Sequence, residues 1–161
     1  MIRLEAAIEV EAPPAVVWDV IGDPRRLVDW DPGVKRVDLT GPLAVGSRFT
    51  ITAEFLGRDR TSSARITVFE PGHRIGWQID PGSRRWWADS FIRATYAVEF
   101  AASGRSRLTR QLEAIGRGLL GRLAEPLVAR AARRERFAEV RNVKRAAESK
   151  SKLETKFTNA D

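Results

Sequence analysis

The sequence predicts an α+β fold in which a strongly curved antiparallel sheet of about seven strands wraps around one long C-terminal helix, with two short helices after strand 1. Three observations support this fold class. Apolar and polar residues alternate in several short runs, the runs are separated by short turns rich in Gly, Pro and Asp, and the periodicity becomes helical after Gly116. Because no later connection is long enough for a parallel crossover helix, neighbouring strands must be antiparallel.

The chain begins with a strand over residues 3–11, followed by two short helices. The apolar face of this strand holds Leu4, Ala6, Ile8 and Val10. Pro13 and Pro14 end the strand and suit a first helical turn, where a missing N–H has no partner to lose. The first helix carries its apolar residues at helical spacing, namely Val16, Val17, Val20 and Ile21. Residues 25–30 form the second helix.

Six further strands are predicted between residues 34 and 114. They cover residues 34–39, 48–55, 64–69, 75–79, 92–100 and 108–114. In the strand at 64–69, Ala64, Ile66 and Val68 share the apolar face, so Phe69 is predicted on the opposite face.

The C-terminal part of the domain is predicted to be a long helix. Its expected apolar face consists of Leu120, Leu123, Leu127, Ala131 and Ala138. Pro126 begins or bends this helix. The composition changes at Ser149, after which lysine replaces arginine. The sequence therefore predicts one domain over residues 1–148 and a frayed polar tail over 149–161.

The composition excludes several kinds of site. The chain has no cysteine and one histidine, so disulfides, cysteine nucleophiles and zinc sites of ordinary ligand composition are excluded. The first residues alternate in polarity and do not resemble a signal peptide, and no run of about 18 apolar residues could span a membrane. We therefore expect a cytoplasmic protein without a metal or cofactor, whose oligomeric state the sequence does not define.

The net charge of +7 allows two interpretations. A basic chain attracts anionic partners, and arginine-rich usage throughout a chain also follows from genome composition. Basic residues concentrate on the C-terminal helix at Arg130, Arg133, Arg134, Arg136, Arg141, Lys144 and Arg145. RNA or an anionic membrane could bind this surface. Glu135 and Glu139 dilute its charge, which favours a solvated helix face.

Five segments of the sequence resemble motifs of the START-like, or SRPBCC, helix-grip superfamily. They are Ile8–Ile21, Asp23–Gly33, Val45–Phe49, Val68–Ile75 and Gly104–Thr109, and their order and spacing match over residues 1–148. The group that they resemble most is the polyketide cyclase/dehydrase and lipid-transport type. The resemblance implies a cavity between the sheet and the C-terminal helix that holds an apolar small molecule.

The alternation predicts which side chains face this cavity. The expected ligand-binding residues are Trp30, Phe49, Ile51, Ile66, Trp77, Tyr96, Val98, Leu108, Arg110, Leu123 and Leu127, with Trp30 at the rim. Each of these is equally a candidate for ordinary core packing.

Arg110 and Tyr96 are the polar members of this set and the candidates for any catalytic role. A buried guanidinium must be paired or bind an anion. Arg110 could therefore anchor a carboxylate, phosphate or enolate-like oxygen of a ligand. Alternatively it reaches water at the sheet edge or pairs with an acid such as Glu113 or Asp89.

The remaining titratable residues have simpler interpretations. His73 is expected to be solvated in a hairpin turn. Asp29, Asp31 and Asp89 lie near the predicted cavity mouth, where a desolvated carboxylate could act as a base. Helix capping and turn formation are the more common roles of aspartate at such positions.

Three functional hypotheses remain after sequence analysis. The first is binding, sequestration or transport of an apolar or polycyclic small molecule. The second is a cofactor-free enzyme that resembles polyketide aromatase/cyclases or dehydratases. The third is an interaction protein that uses its basic C-terminal helix on RNA or anionic membrane. The first is preferred because the sequence contains pocket-forming residues but no convergent acid–base set.

Overall fold

The computed structural model describes residues 2–55, 57–80, 91–115 and 138–156. The strands are β1 (Ile2–Val10), β2 (Val34–Asp38), β3 (Arg48–Phe55), β4 (Arg58–Glu70), β5 (Arg74–Asp80), β6 (Phe91–Ala102) and β7 (Arg105–Ile115). The helices are α1 (Pro14–Ile21), α2 (Leu27–Trp30) and α3 (138–156), with a 3-10 turn at Pro24–Arg26 before α2.

All strands belong to one antiparallel sheet with the order β1-β7-β6-β5-β4-β3-β2. The predicted fold class is therefore confirmed. Strand β1 pairs with β7, so the first and the last of these strands in the sequence are neighbours in the sheet. We call the face that carries Ile51, Trp77 and Tyr96 the inner face, and the opposite one the outer face.

One strand departs from the predicted alternation. A register shift between Ile66 and Val68 inserts a bulge into β4, and Phe69 then pairs with the buried Ile75. A bulge adds one residue to a strand and so exchanges the faces of the residues that follow. The prediction for Phe69 is therefore wrong: it packs on the inner side, with its ring 6.2 Å from the ring of Trp18.

The two N-terminal helices lie against the inner face, and local contacts fix their positions. Pro13 caps α1, and the Asp23 side chain accepts a hydrogen bond of 2.9 Å from the Arg25 N–H before α2. At the end of α1, a Cβ on Gly22 would lie 2.6 Å from the Trp18 ring. Glycine allows this close approach, after which the chain turns into α2.

Helix α3 packs its own apolar face into the same core. Val140, Val143 and Ala147 are completely buried. Ala138, predicted on the apolar face, is only half-buried, because at about 100° per residue it lies roughly opposite Ala147. Residues Leu120, Leu123, Leu127 and Ala131 lie outside the described residues.

Polar contacts connect α3 to the N-terminal part of the chain. The Lys144 ammonium donates to the Glu9 carbonyl (3.0 Å), and Lys150 pairs with Asp19 of α1 (2.6 Å). The helix continues across Ser149 to residue 156, so its end does not coincide with the change in composition. The domain boundary at 148 stays a prediction.

No helix within the described ranges combines the length and the apolar composition needed to cross a membrane.

A hydrogen bond from the buried Ser106 connects β7 to the chain that follows β1, and its contribution to stability can be measured. The Ser106 hydroxyl donates a 2.6 Å hydrogen bond to the Ala12 carbonyl, and both residues are fully buried. Ser106→Ala would leave this carbonyl without its donor, so we expect the free energy of unfolding to fall by about 1–3 kcal/mol in urea titrations. Ser63→Ala on the exposed outer face is the control, with an expected change below about 0.5 kcal/mol. Equal effects of the two substitutions would contradict this role.

Candidate functional site

Every predicted ligand-binding residue that falls in the described ranges is buried on the inner side of the domain. These residues are Trp30, Phe49, Ile51, Ile66, Trp77, Tyr96, Val98, Leu108 and Arg110. Leu123 and Leu127 lie outside the described residues. Burial is also what an ordinary core requires, so the contribution of each residue to ligand binding stays a prediction.

The aromatic members of this set form a connected chain. The Tyr96 ring stacks on Trp77 at 5.4 Å and 27°, and it meets Trp30 edge to face at 5.7 Å. Trp77 in turn contacts Phe49 at 6.5 Å, again edge to face. Offset and edge-to-face pairs of this kind add about 0.5–1.5 kcal/mol each to the burial of the rings.

The sheet register explains why two of these rings stack. Trp77 pairs across the strands with Ala94, whose small side chain leaves space above the sheet. Tyr96 follows Ala94 on the same face and is therefore the diagonal neighbour of Trp77, within reach of a large ring.

Trp30, which is predicted at the rim of the cavity, is buried. Its side chain is 5% exposed, and its indole N–H donates to the Val20 carbonyl at 3.2 Å. This hydrogen bond joins α2 to α1 and directs the ring towards Tyr96.

Arg110 and Tyr96 face each other across β6 and β7, and a residue of α3 completes the cluster. The Arg110 Nε donates to the Tyr96 hydroxyl (3.1 Å), and this hydroxyl donates to Glu139 Oε2 (2.7 Å). The same Glu139 oxygen lies 2.6 Å from an Arg110 terminal nitrogen. The side chains of Arg110 and Glu139 are 8% and 20% exposed. We call Arg110, Tyr96 and Glu139 the polar triad.

The triad corrects one expectation about Arg110, namely its pairing with Glu113. Glu113 is not its partner. Residues that are an odd number of positions apart in a strand point to opposite faces, so Glu113 lies on the outer face, where it pairs with Arg3 and Arg93. Asp89 lies outside the described residues. The guanidinium is thus paired within the protein, through an acid that the sequence reasoning had placed on the basic helix surface.

Sequence reasoning missed Glu139, although a signal for it exists. The residues that define the buried face of α3 are Val140, Val143 and Ala147. Glu139 precedes Val143 by four residues and so lies one turn away on the flank of this face. The apolar face predicted from Leu120, Leu123, Leu127, Ala131 and Ala138 instead leaves Glu139 on the solvated surface of the helix.

Asp31 is a second acid close to the triad. It follows α2, and its side chain accepts a hydrogen bond from the Gly33 N–H at 2.9 Å, the turn role expected for it. Burial raises the pKa of its carboxyl above the ordinary value, although the Gly33 N–H and the charge of Arg110 act in the opposite direction.

Burial and neighbouring charges also shift the pKa values of Tyr96 and Arg110. Burial, together with the neighbouring Glu139, raises the pKa of the Tyr96 hydroxyl well above its usual value, so Tyr96 stays protonated at neutral pH. For Arg110, burial lowers the pKa, but Tyr96 and Glu139 more than offset this effect and the pKa is raised. The guanidinium is therefore always charged.

A cleft of about 430 Å³ opens between α2 and α3. Its walls are formed by Val28, Asp29, Trp30, Pro32, Asn142, Arg145, Ala146 and Ser149. Trp30 belongs both to this cleft and to the aromatic chain, so the cleft borders the triad through a single aromatic ring.

A second cleft, of about 390 Å³, lies on the other side of the sheet beside the β4–β5 turn. His73 lines it, and its backbone N–H closes the turn by donating to the Glu70 carbonyl at 2.9 Å. The turn position predicted for His73 is thus confirmed. Among the residues described, no group of three His, Asp or Glu side chains could hold a metal ion.

The basic helix surface is described only in part. Arg141 and Arg145 are exposed, whereas Lys144 also pairs with Glu148. Residues 130–136 lie outside the described ranges, so binding of this surface to RNA or membrane stays a prediction.

A double-mutant cycle measures how strongly the triad depends on its ion pair. Arg110→Met removes the guanidinium from Glu139 and Tyr96, and we expect the free energy of unfolding to fall by about 2–4 kcal/mol. Adding Glu139→Gln to this variant removes the carboxylate that has lost the guanidinium, so the double variant should regain part of the loss. We expect a coupling energy of about 1–3 kcal/mol from urea unfolding of the four proteins. Strictly additive effects would contradict the pairing.

The raised pKa of Asp31 predicts a pH dependence with a definite sign. A folded state that holds this proton more tightly than the unfolded state loses stability as pH rises through the two pKa values. Asp31→Asn removes the loss, so the stability of the variant minus that of the parent should increase with pH between roughly pH 3.5 and pH 7. Urea unfolding across this range measures the difference, and a difference that falls with pH would contradict the assignment.

Comparisons with known proteins agree with this fold. Residues 1–148 match the family model described as polyketide cyclase / dehydrase and lipid transport. The uncharacterized protein Rv0088 of Mycobacterium tuberculosis is 30% identical over 110 residues, which cover 63% of this chain and 49% of the relative. The chain thus spans about half the length of the curated relatives it matches.

Solved structures share the fold at low sequence identity. The ZhuI aromatase/cyclase from Streptomyces sp. R1128 superimposes with a TM-score of 0.76 at 16% identity, covering 91% of this chain and 93% of that one. A START superfamily protein from Mycobacterium smegmatis gives a TM-score of 0.69 at 12% identity, covering 94% and 97%. The sheet order, the packing of α3 and the match over residues 1–148 lead to one conclusion: this chain belongs to the polyketide cyclase/dehydrase and lipid transport family.

Proposed function

We propose that this protein binds an apolar small molecule, polycyclic or isoprenoid-like, between the inner face of the sheet and the C-terminal helix. The observation that carries this proposal is the chain of rings from Trp30 through Tyr96 and Trp77 to Phe49. One end of this chain forms a wall of the α2–α3 cleft. Aromatic walls with a few fixed polar groups are the usual composition of small-molecule sites, and the cleft volume falls in their range of about 300–1,000 Å³.

The polar triad would orient the ligand in this proposal. It lies against the aromatic chain, with the Arg110 guanidinium carbon 5.8 Å from the centre of the Tyr96 ring. A ligand that packs on the rings could therefore place a polar substituent at Arg110, Tyr96 or Glu139. The match to a family named partly for lipid transport supports a carrier or sequestering role.

A cofactor-free cyclase or dehydratase is the second candidate, and one observation favours it. The Tyr96 hydroxyl donates a hydrogen bond to the Glu139 carboxylate and accepts one from the Arg110 guanidinium. A tyrosine in this position can give its proton to a substrate oxygen, and the guanidinium then stabilises the phenolate that remains on Tyr96. The Streptomyces neighbour is an aromatase/cyclase, an activity compatible with such chemistry.

Native mass spectrometry of protein purified from its own host tests the binding proposal. We expect a retained apolar compound that organic extraction releases. Trp30→Leu should lower its occupancy roughly fivefold, because an aromatic pair contributes about 1 kcal/mol. Trp18→Leu is the matched control, since the ring of Trp18 packs against Phe69, which is not part of the aromatic chain.

Two other outcomes are informative. If no compound is retained and the neutral probe N-phenyl-1-naphthylamine does not bind, the proposal is wrong. If the host compound is converted to a product, and Tyr96→Phe stops the conversion while the compound still binds, the enzyme is the correct alternative.

A further inference from the structure

The charges around Arg110 restrict which polar group a ligand can bring to the site. The guanidinium contacts Glu139 at 2.6 Å, so its charge is already neutralised by a carboxylate of the protein itself. Asp31 adds a second carboxyl that interacts electrostatically with the same guanidinium. The described part of the site thus holds one cation and two acids.

Within the described part of the chain, Arg110 is the cation that a carboxylate or phosphate on the ligand would have to share with Glu139 and Asp31. Arg110 is 7% exposed and Tyr96 is 2% exposed, so water screens the site poorly. An additional anion beside two acids in such surroundings is repelled, or it must displace Glu139 from its partners.

A neutral group meets no such repulsion. A phenol hydroxyl, a ketone or an amide can exchange hydrogen bonds with the triad while the pairing of Arg110 with Glu139 stays intact. The ion pair between Arg110 and Glu139 therefore favours a ligand that is apolar except for an uncharged polar end.

We infer that the site takes ligands whose polar end is an uncharged phenol, ketone or amide, and that Glu139 is the residue that excludes carboxylates and phosphates. This inference rests on the proposed binding function and narrows its ligand class. It also reverses the simplest expectation for a buried arginine, namely that it anchors an anion.

Two nearly isosteric probes test this selectivity by isothermal titration calorimetry at pH 7. The first probe, 2-naphthamide, is neutral, and the second, 2-naphthoate, carries a negative charge on the same ring system. We expect the parent protein to bind the amide roughly tenfold or more tightly than the carboxylate. Glu139→Gln releases the charge of Arg110 and should reverse this preference.

Glu113→Gln is the matched control. It removes the same charge from a carboxylate that also pairs with arginine, with 27% of its side chain exposed, but on the outer face of the sheet. We expect it to leave the amide preference unchanged, so that the reversal depends on position and not on net charge. Asp31→Asn gives a second test on the site itself and should raise the affinity for the carboxylate.

The outcomes separate this inference from the binding proposal. If the parent prefers the carboxylate, or if neither Glu139→Gln nor Asp31→Asn raises its affinity, the charge argument is wrong while the binding function stands. If neither probe binds to the parent and no host compound is retained, the binding function itself is wrong. Circular dichroism of each variant confirms that a loss of binding does not follow from unfolding.

Discussion

The positive charge of Arg110, enclosed between the sheet and the C-terminal helix, is the constraint on which the rest of the site depends. A guanidinium in the interior costs several kcal/mol unless carboxylate and hydroxyl oxygens surround it. β6 provides one such oxygen from Tyr96 and α3 the other from Glu139. The need to neutralise one side chain thus connects two neighbouring strands to a helix more than twenty residues further along the chain.

The aromatic rings give this polar cluster its apolar surroundings. Trp77 lies opposite the small Ala94 on the inner face, which leaves space for its ring to stack on Tyr96. Trp30 closes the chain of rings from the helical side, held by a hydrogen bond from its indole. An apolar surface with a few polar atoms at one end is suited to a ligand of the same character.

Binding and catalysis would use the same atoms here, so the fold does not decide between them. A Tyr96 hydroxyl between an acid and a guanidinium can hold a ligand oxygen or exchange a proton with it. The difference lies in whether the bound molecule has a reactive centre within reach of that hydroxyl. The chemistry of the ligand, more than any further detail of the protein, separates a carrier from a cyclase.

Local pattern was sufficient to predict much of this protein. The period-two alternation placed Tyr96, Arg110, Trp77 and Phe49 on one face, and the turns between the strands predicted an antiparallel sheet. Both signals act over a few residues, because side-chain direction in a strand depends only on parity. The family resemblance was equally local, since its motifs are turns and packing positions.

Contacts between segments that are distant in sequence determined the partner of Arg110 and the orientation of Phe69. Glu139 became the partner of Arg110 through the rotation of α3 about its own axis, which the burial of Val140, Val143 and Ala147 fixes. The bulge in β4 turned Phe69 inward towards Trp18, against the parity of its strand. In both cases the outcome depends on how one element packs on another. The spacing of Val140, Val143 and Ala147 indicates which side of α3 is buried, but the strand residue that Glu139 meets follows only from the packing of the helix on the sheet.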